Sequence, residues 1–138
     1  MRALVQRVSS AEVRVEERVV GAIGEGLLVL LGITHEDGPA TAERLAAKVR
    51  ALRVFEDAEG RMNEPLGDRE ILCVSQFTLY GDTRRGNRPS FVAAASSEQA
   101  EPLYEQFCEL TGARRGVFGA HMVVQLVNDG PVTLMLEA

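Results

Sequence analysis

The stretch from Leu27 to Ile33, bounded by Gly26 and Gly32, places apolar side chains at consecutive positions without a polar break. A strand turns successive side chains to opposite faces, so a run with no polar parity is expected to be covered on both faces. Other segments can supply the cover. Ala3-Leu4-Val5-Gln6-Arg7-Val8, then Ala11-Glu12-Val13-Arg14-Val15, then Arg18 to Ile23 alternate in strand fashion with short turns between them. From Pro39 to Phe55 the period changes: Ala42, Leu45, Ala46, Val49, Leu52 and Arg53 recur at threes and fours. Thr41 or Asp37 is placed to cap that helix.

Glu56 to Arg61 reads as a turn and Asn63 to Arg69 as a loop, before a strand at Ile71-Leu72-Cys73-Val74. Ser96-Ser97-Glu98 opens a second helix running through Leu110, with Ala100, Leu103, Tyr104 and Phe107 on one face. Met122 to Leu126 and Val132 to Leu136 close the chain as two strands joined across a Gly130-Pro131 turn. This order predicts an α/β fold of mainly antiparallel or mixed β-sheets with two packing helices. Too few helices and no glycine-rich turn argue against a doubly wound nucleotide-binding sheet. With 138 residues, 46% of them apolar, and no linker or repeat, residues 1–138 are expected to form a single domain.

No stretch approaches the roughly 18 to 20 apolar residues of a membrane span, and the N-terminus lacks a signal-peptide layout, so a soluble cytoplasmic protein with no membrane partner is expected. Cys73 and Cys108 sit in separate apolar segments and read as buried thiols rather than a disulfide or metal pair. His35 and His121 have no second ligand at helical or turn spacing, and no CxxC, HExxH or P-loop pattern occurs. No metal and no cofactor are expected. A formal charge of −5 argues against broad nucleic-acid binding, and no DNA partner is expected. Arg84, Arg85 and Arg88, and the pair Arg114-Arg115, are small local basic groups, either solvated loop residues or contacts for a few phosphates.

Two polar segments interrupt apolar runs and are where chemistry is expected: Ser75-Gln76-Phe77-Thr78-Leu79 and Asn128-Asp129-Gly130-Pro131-Val132-Thr133. Ser75 and Thr78 carry hydroxyls, but a hydroxyl nucleophile needs a base in reach and an orienting acid, and no histidine lies near them in sequence. Gln76 offers a fixed amide suited to reading a base edge or ribose, or simply to bonding a loop. The Gly130-Pro131 step reads either as a hairpin turn or as a rigid presentation of two carbonyls to a ligand, and nothing local demands a cis bond.

Taken with Gln6-Arg7-Val8, Gly26 to Gly32, Phe55 to Asn63 and Arg88-Pro89-Ser90-Phe91, these segments resemble the D-aminoacyl-tRNA deacylases in order over essentially the whole chain. The resemblance implies β/β/α layers and a homodimeric hydrolase that cleaves the ester between a D-amino acid, or glycine, and the terminal adenosine of tRNA. It implies that Ser75, Gln76 and Leu79 frame that adenosine, that backbone at Phe77 and Thr78 faces the scissile ester, and that Phe118 and Met122 line the same pocket. Gly130 and Pro131 correspond to a cis step that enters the partner's active site and rejects L-amino acids. Thr78 matches a residue cast either as nucleophile or as part of a backbone-based site; the absence of an evident base favours the latter. The segments from Phe107 to Phe118 and from Asn63 to Glu70 are shorter than that family's pattern, and His121 stands where an acidic residue is common. A non-catalytic dimeric module that binds RNA ends, or a general serine or threonine esterase, are the other classes such a chain would suit.

Overall fold

The computed structural model describes residues 1–138. Strands β1 (Arg2–Val15), β2 (Arg18–Ile23) and β3 (Gly26–Gly32) are followed by helix α1 (Pro39–Ala51), a small hairpin of β4 (Phe55–Glu56) and β5 (Met62–Glu64), and strand β6 (Glu70–Ser75). A single 3-10 turn (Phe77–Tyr80), helix α2 (Ser97–Thr111), the short β7 (Arg114–Arg115) and the long β8 (Val123–Glu137) complete the chain. β1 pairs antiparallel with β2, β3 and β8, whereas β3–β6 and β6–β7 are parallel, so the sheet is mixed.

The expectation from the apolar run holds in detail. Along β3, Leu27, Val29 and Leu31 enter a core shared with α1 and α2, while Leu28 and Leu30 face a second cluster. β6 divides the same way, Ile71 and Cys73 toward the helices and Leu72 and Val74 toward the second cluster. That second cluster is closed by Ala11 and Val13 of β1, Ile23 of β2 and Val124 and Leu126 of β8. One sheet region is thus sandwiched between helices and a further strand layer, which is the β/β/α order.

β1 serves both layers. Ala3 and Val5 belong to the helix-side core and Val8, Ala11 and Val13 to the other, with register shifts around Val8 where the strand changes sides. The sequence splits this strand into two pieces at that place; it is continuous because the irregularity bends it without ending it.

Three further expectations are corrected. Helix α1 stops at Ala51 rather than Phe55, because Leu52 leaves helical geometry with ψ near 128°. Its N-cap residue is Gly38; Thr41 does help to cap the start, from inside the first turn, its hydroxyl accepting from the Gly38 amide at 3.1 Å, whereas Asp37 accepts from the Thr34 amide at 2.8 Å and caps nothing. Gly130-Pro131 is no hairpin. Val123 to Asn128 and Thr133 to Glu137 both run antiparallel to β1, so β8 keeps its direction, and Asp129 to Val132 bulge out opposite Arg7. A Gly-Pro step suits a reversal or a bulge equally well, and the flanking alternation is the same in both. No helix is long and apolar enough to cross a membrane.

Candidate active site

The parallel strands β3 and β6 end side by side, and a cavity of about 620 Å³ opens beyond their carboxyl ends. Ligand sites in α/β sheets favour this position. The last paired residue of β6 is Ser75, opposite Leu31; the next amide, Gln76, still donates to the Leu31 carbonyl at 2.8 Å. The chain then turns sharply through the 3-10 helix, with the Leu79 amide donating to the Gln76 carbonyl at 3.2 Å. At the head of such a turn the first N–H groups, here those of Phe77 and Thr78, find no acceptor within the helix itself.

Gly32 permits this turn to sit where it does. A Cβ there would lie 3.0 Å from the Leu79 Cβ and 3.1 Å from the Gln76 carbonyl oxygen. Arg2 fastens the far end, its Nη1 donating to the Leu79 carbonyl at 2.9 Å while its guanidinium lies 4.5 Å over the Tyr80 ring. Burial, helped by the charge of Asp37, pushes the Tyr80 phenol up to about 12, with Arg2 opposing.

The opposite wall comes from residues 91–97 and 118–122. Ala95 donates its amide to the Ile33 carbonyl at 2.9 Å, and Ser96 caps α2 by accepting from the Gln99 amide at 3.4 Å. Phe118 packs against the buried Tyr104 ring, 5.8 Å between centroids, and Met122 rests on the inter-strand cluster. At the mouth, Phe77 and Phe91 meet edge to face at 5.2 Å, both well exposed at 58% and 39%. The lining is chiefly apolar, with Ser75, Gln76, Ser96, Ser97 and His121 as its polar members.

The cavity gathers Ser75, Gln76, Phe77, Phe118 and Met122 from distant parts of the sequence. Thr78 and Leu79 stand beside it but do not line it: Thr78 is exposed and Leu79 abuts Gly32. Gly130 and Pro131 lie elsewhere, exposed on β8, and the peptide bond between them is cis. Their bulge is held by buried Arg7, whose Nε donates to the Asp129 carbonyl at 3.0 Å and whose Nη1 donates to the Val54 carbonyl at 2.5 Å. The wall of Ala94 to Ser97 escapes a reading by polar motif. Its one available signal is the Ser96 cap, which marks where the chain returns to the cavity.

No hydroxyl in the site has a base. The Thr78 hydroxyl accepts from the Gln76 side-chain amide at 2.5 Å, and His35 is engaged with the Val92 carbonyl at 2.6 Å. His121 reaches the cavity rim but bonds to neither Ser75 nor Thr78. No three His, Cys, Asp or Glu side chains converge as ligands. Cys73 and Cys108 are free and buried beneath Tyr104, where burial raises the Cys73 thiol well above its usual range. The site is therefore a shaped, largely apolar pocket with backbone donors at one edge.

The family model described as D-Tyr-tRNA(Tyr) deacylase matches residues 4–137. A D-aminoacyl-tRNA deacylase of Opitutus terrae is 55% identical, covering 100% of this chain and 97% of its own. The protein of that name from Thermotoga petrophila is 54% identical over 100% of this chain and 97% of its own. Among solved structures, one titled c-Myc DNA Unwinding Element Binding Protein superposes with a TM-score of 0.94 at 44% identity, covering 100% of this chain and 99% of that one. A probable eukaryotic D-amino acid tRNA deacylase shares the fold, with a TM-score of 0.79 at 20% identity over 98% of this chain and 97% of that one. With a family match spanning nearly every residue and relatives above half identity over nearly their full length, the chain belongs to the D-Tyr-tRNA(Tyr) deacylase family and is a hydrolase.

Proposed function

We propose that the chain hydrolyses the ester joining a D-amino acid, or glycine, to the terminal adenosine of tRNA, releasing free amino acid and tRNA and sparing L-aminoacyl esters. The observation that carries this reading is the convergence of Ser75, Gln76, Phe77, Phe118 and Met122 on one cavity without a nucleophile–base pair. Ser75 and Gln76 frame the adenosine, Leu79 supports them from beside the cavity against Gly32, and Phe118 and Met122 line the apolar remainder. Water adds to the ester carbonyl carbon, the amides of Phe77 and Thr78 stabilise the oxyanion, and the ester bond to the ribose oxygen then breaks, with that oxygen taking a proton. Catalysis by positioning and oxyanion contacts needs no side-chain nucleophile.

Chiral selection is assigned to a homodimer in which the Gly130-Pro131 step of one subunit enters the cavity of its partner. Two features favour this arrangement. β8 bonds only to β1, so its outer edge is open, and along it Val123, Val127, Leu134 and Met135 are exposed. The step itself is exposed and lines no part of the chain's own cavity. Backbone carbonyls held rigidly against the substrate's α-carbon accept its ammonium group and leave no space on the side where an L side chain projects, so the wrong hand is excluded by steric clash. Glycine, with no side chain, passes.

Release of D-tyrosine, L-tyrosine and glycine from the matching charged tRNAs, with EDTA present throughout, tests the reading. Loss of the D-tyrosyl and glycyl esters with the L-tyrosyl ester spared is expected. No turnover on any of them would leave a non-catalytic module that binds RNA ends, and equal turnover of both hands would remove the filter.

A further inference from the structure

The segment from Gly81 to Ser90 leaves the cavity mouth and returns to it. Its stem is a two-residue bridge, the Asp82 amide donating to the Ser90 carbonyl at 2.8 Å and the Ser90 amide to the Asp82 carbonyl at 2.9 Å. Before the stem stands the turn that bears Phe77, and after it stands Phe91, whose ring packs on Phe77 at 5.2 Å. The loop is therefore anchored at both ends to the rim.

Its charge is unlike that of the chain. The whole protein carries a formal −5, yet this loop holds Arg84, Arg85 and Arg88 against a single acid, Asp82. Arg84 is consumed by that acid, bonding both carboxylate oxygens at 2.9 and 2.7 Å. The same ion pair holds the Asp82 carboxyl down to about 2, so it stays charged and committed to Arg84. Arg85 and Arg88 are exposed and donate to nothing. Elsewhere in the chain arginines are mostly engaged, as Arg2, Arg7, Arg14, Arg69, Arg114 and Arg115 are. Two uncompensated guanidiniums on an anchored loop beside an adenosine-sized cavity call for an anionic partner that continues outward from the cavity.

We infer that the loop is a phosphate-gripping arm, in which Arg85 and Arg88 hold phosphodiester groups of the nucleotides immediately preceding the terminal adenosine. Guanidinium forks match phosphate oxygens in a bidentate fashion. Such contacts fix register without reading sequence, which suits an enzyme that meets many tRNAs. Gly86, with φ of 66°, forms the turn between the two arginines. The inference rests on the deacylase reading above and adds to it where the RNA strand leaves the site.

Two substrates separate the arm from the cavity: D-tyrosyl-tRNA, and D-tyrosyl adenosine, which has the same ester and no phosphate. In the double variant Arg85→Gln/Arg88→Gln, kcat/KM on the tRNA is expected to fall about tenfold or more at low salt. The slope of log(kcat/KM) against log salt should flatten by about 0.7 per arginine removed, as expected for single-stranded contacts. The change should lie in KM, and the adenosine ester should be cleaved as by the unaltered chain. A matched pair, Arg18→Gln/Arg44→Gln, removes equal charge elsewhere and is expected to leave the slope in place. An equal fall on both esters, an unchanged salt slope, or an equal effect from the matched pair would overturn the arm. Absence of turnover by the unaltered chain on both esters would instead overturn the deacylase reading, and the arm with it.

Discussion

The two polar segments look alike in sequence and are built differently. Ser75 to Leu79 terminates β6 and is wedged by main chain: the Gln76 amide on the Leu31 carbonyl, and Gly32 against Leu79 and the Gln76 carbonyl. Asn128 to Thr133 does not terminate its strand. It bulges from β8 and is held by side chains, with Arg7 on the Asp129 carbonyl and Asn128 Nδ2 donating to the carbonyls of Arg7 and Val132 at 2.9 and 3.2 Å. The first segment faces a cavity of its own chain, while the second exposes Gly130 and Pro131 and sends only Val132 into the core. A segment wedged by main chain tolerates little change, whereas one tethered by side chains can shift and still be presented, so the two should respond to substitution on different scales.

Gly32→Ala should give the largest effect. The added methyl meets Leu79 Cβ at 3.0 Å and the Gln76 carbonyl oxygen at 3.1 Å, and neither can swing aside. Displacing the Phe77 and Thr78 amides should lower the single-turnover rate on D-tyrosyl-tRNA by about 10²–10³, the cost of a lost oxyanion donor. A near-normal rate would mean that the turn is not set by this contact. Gly130→Ala brings its methyl to 3.0 Å from Asn128 Oδ1, the end of a side chain that can rotate. The expected result is a folded enzyme whose preference for D over L narrows by up to about 10²-fold, in line with a displacement near 1 Å. Intact discrimination would remove the second segment from chiral selection.

How far each region was legible follows from the same contrast. The sandwiched strand was readable because an apolar residue at every position has few structural explanations, and the helix faces because their period is unambiguous. The hairpin reading of Gly130-Pro131 failed because pairing direction is a tertiary property: Val123 to Asn128 and Thr133 to Glu137 carry the same pattern whether the chain reverses or bulges. The Asp37 cap failed for a related reason, since its carboxylate serves Thr34 and the chain's amino terminus. That Ser75, Gln76 and Phe77 lie at a cavity could be expected from a polar strand end. Ala94 and Ala95 could not, because an alanine wall acquires meaning only from what faces it.

Thr78→Ala is expected to have a smaller effect than either glycine change. The hydroxyl accepts from the Gln76 amide at 2.5 Å and has no base beside it, so its removal should cost one neutral hydrogen bond, about 0.5–1.5 kcal/mol or no more than about tenfold in rate. Abolished turnover in a folded variant would restore Thr78 as the nucleophile and undo the backbone account of the first segment.

The smallest effect concerns Tyr80, which ends the first segment's turn and is 8% exposed. Burial first, then Asp37, raise its phenol to about 12, whereas an unfolded tyrosine titrates near 10. The folded chain therefore keeps a proton that the unfolded chain loses, so this contribution to stability is full below about pH 10 and disappears as the pH climbs toward about 12. Tyr80→Phe removes that dependence, and its urea midpoint should decline less steeply than that of the unaltered chain over the same interval. Tyr104, also raised by burial, is present in both proteins and cancels in the difference. Parallel declines would show that the turn does not depend on the neutral phenol. The second segment offers a control: Asn128 is a neutral amide with no proton to lose over this interval, so an Asn128→Ala variant should lose the same increment at every pH.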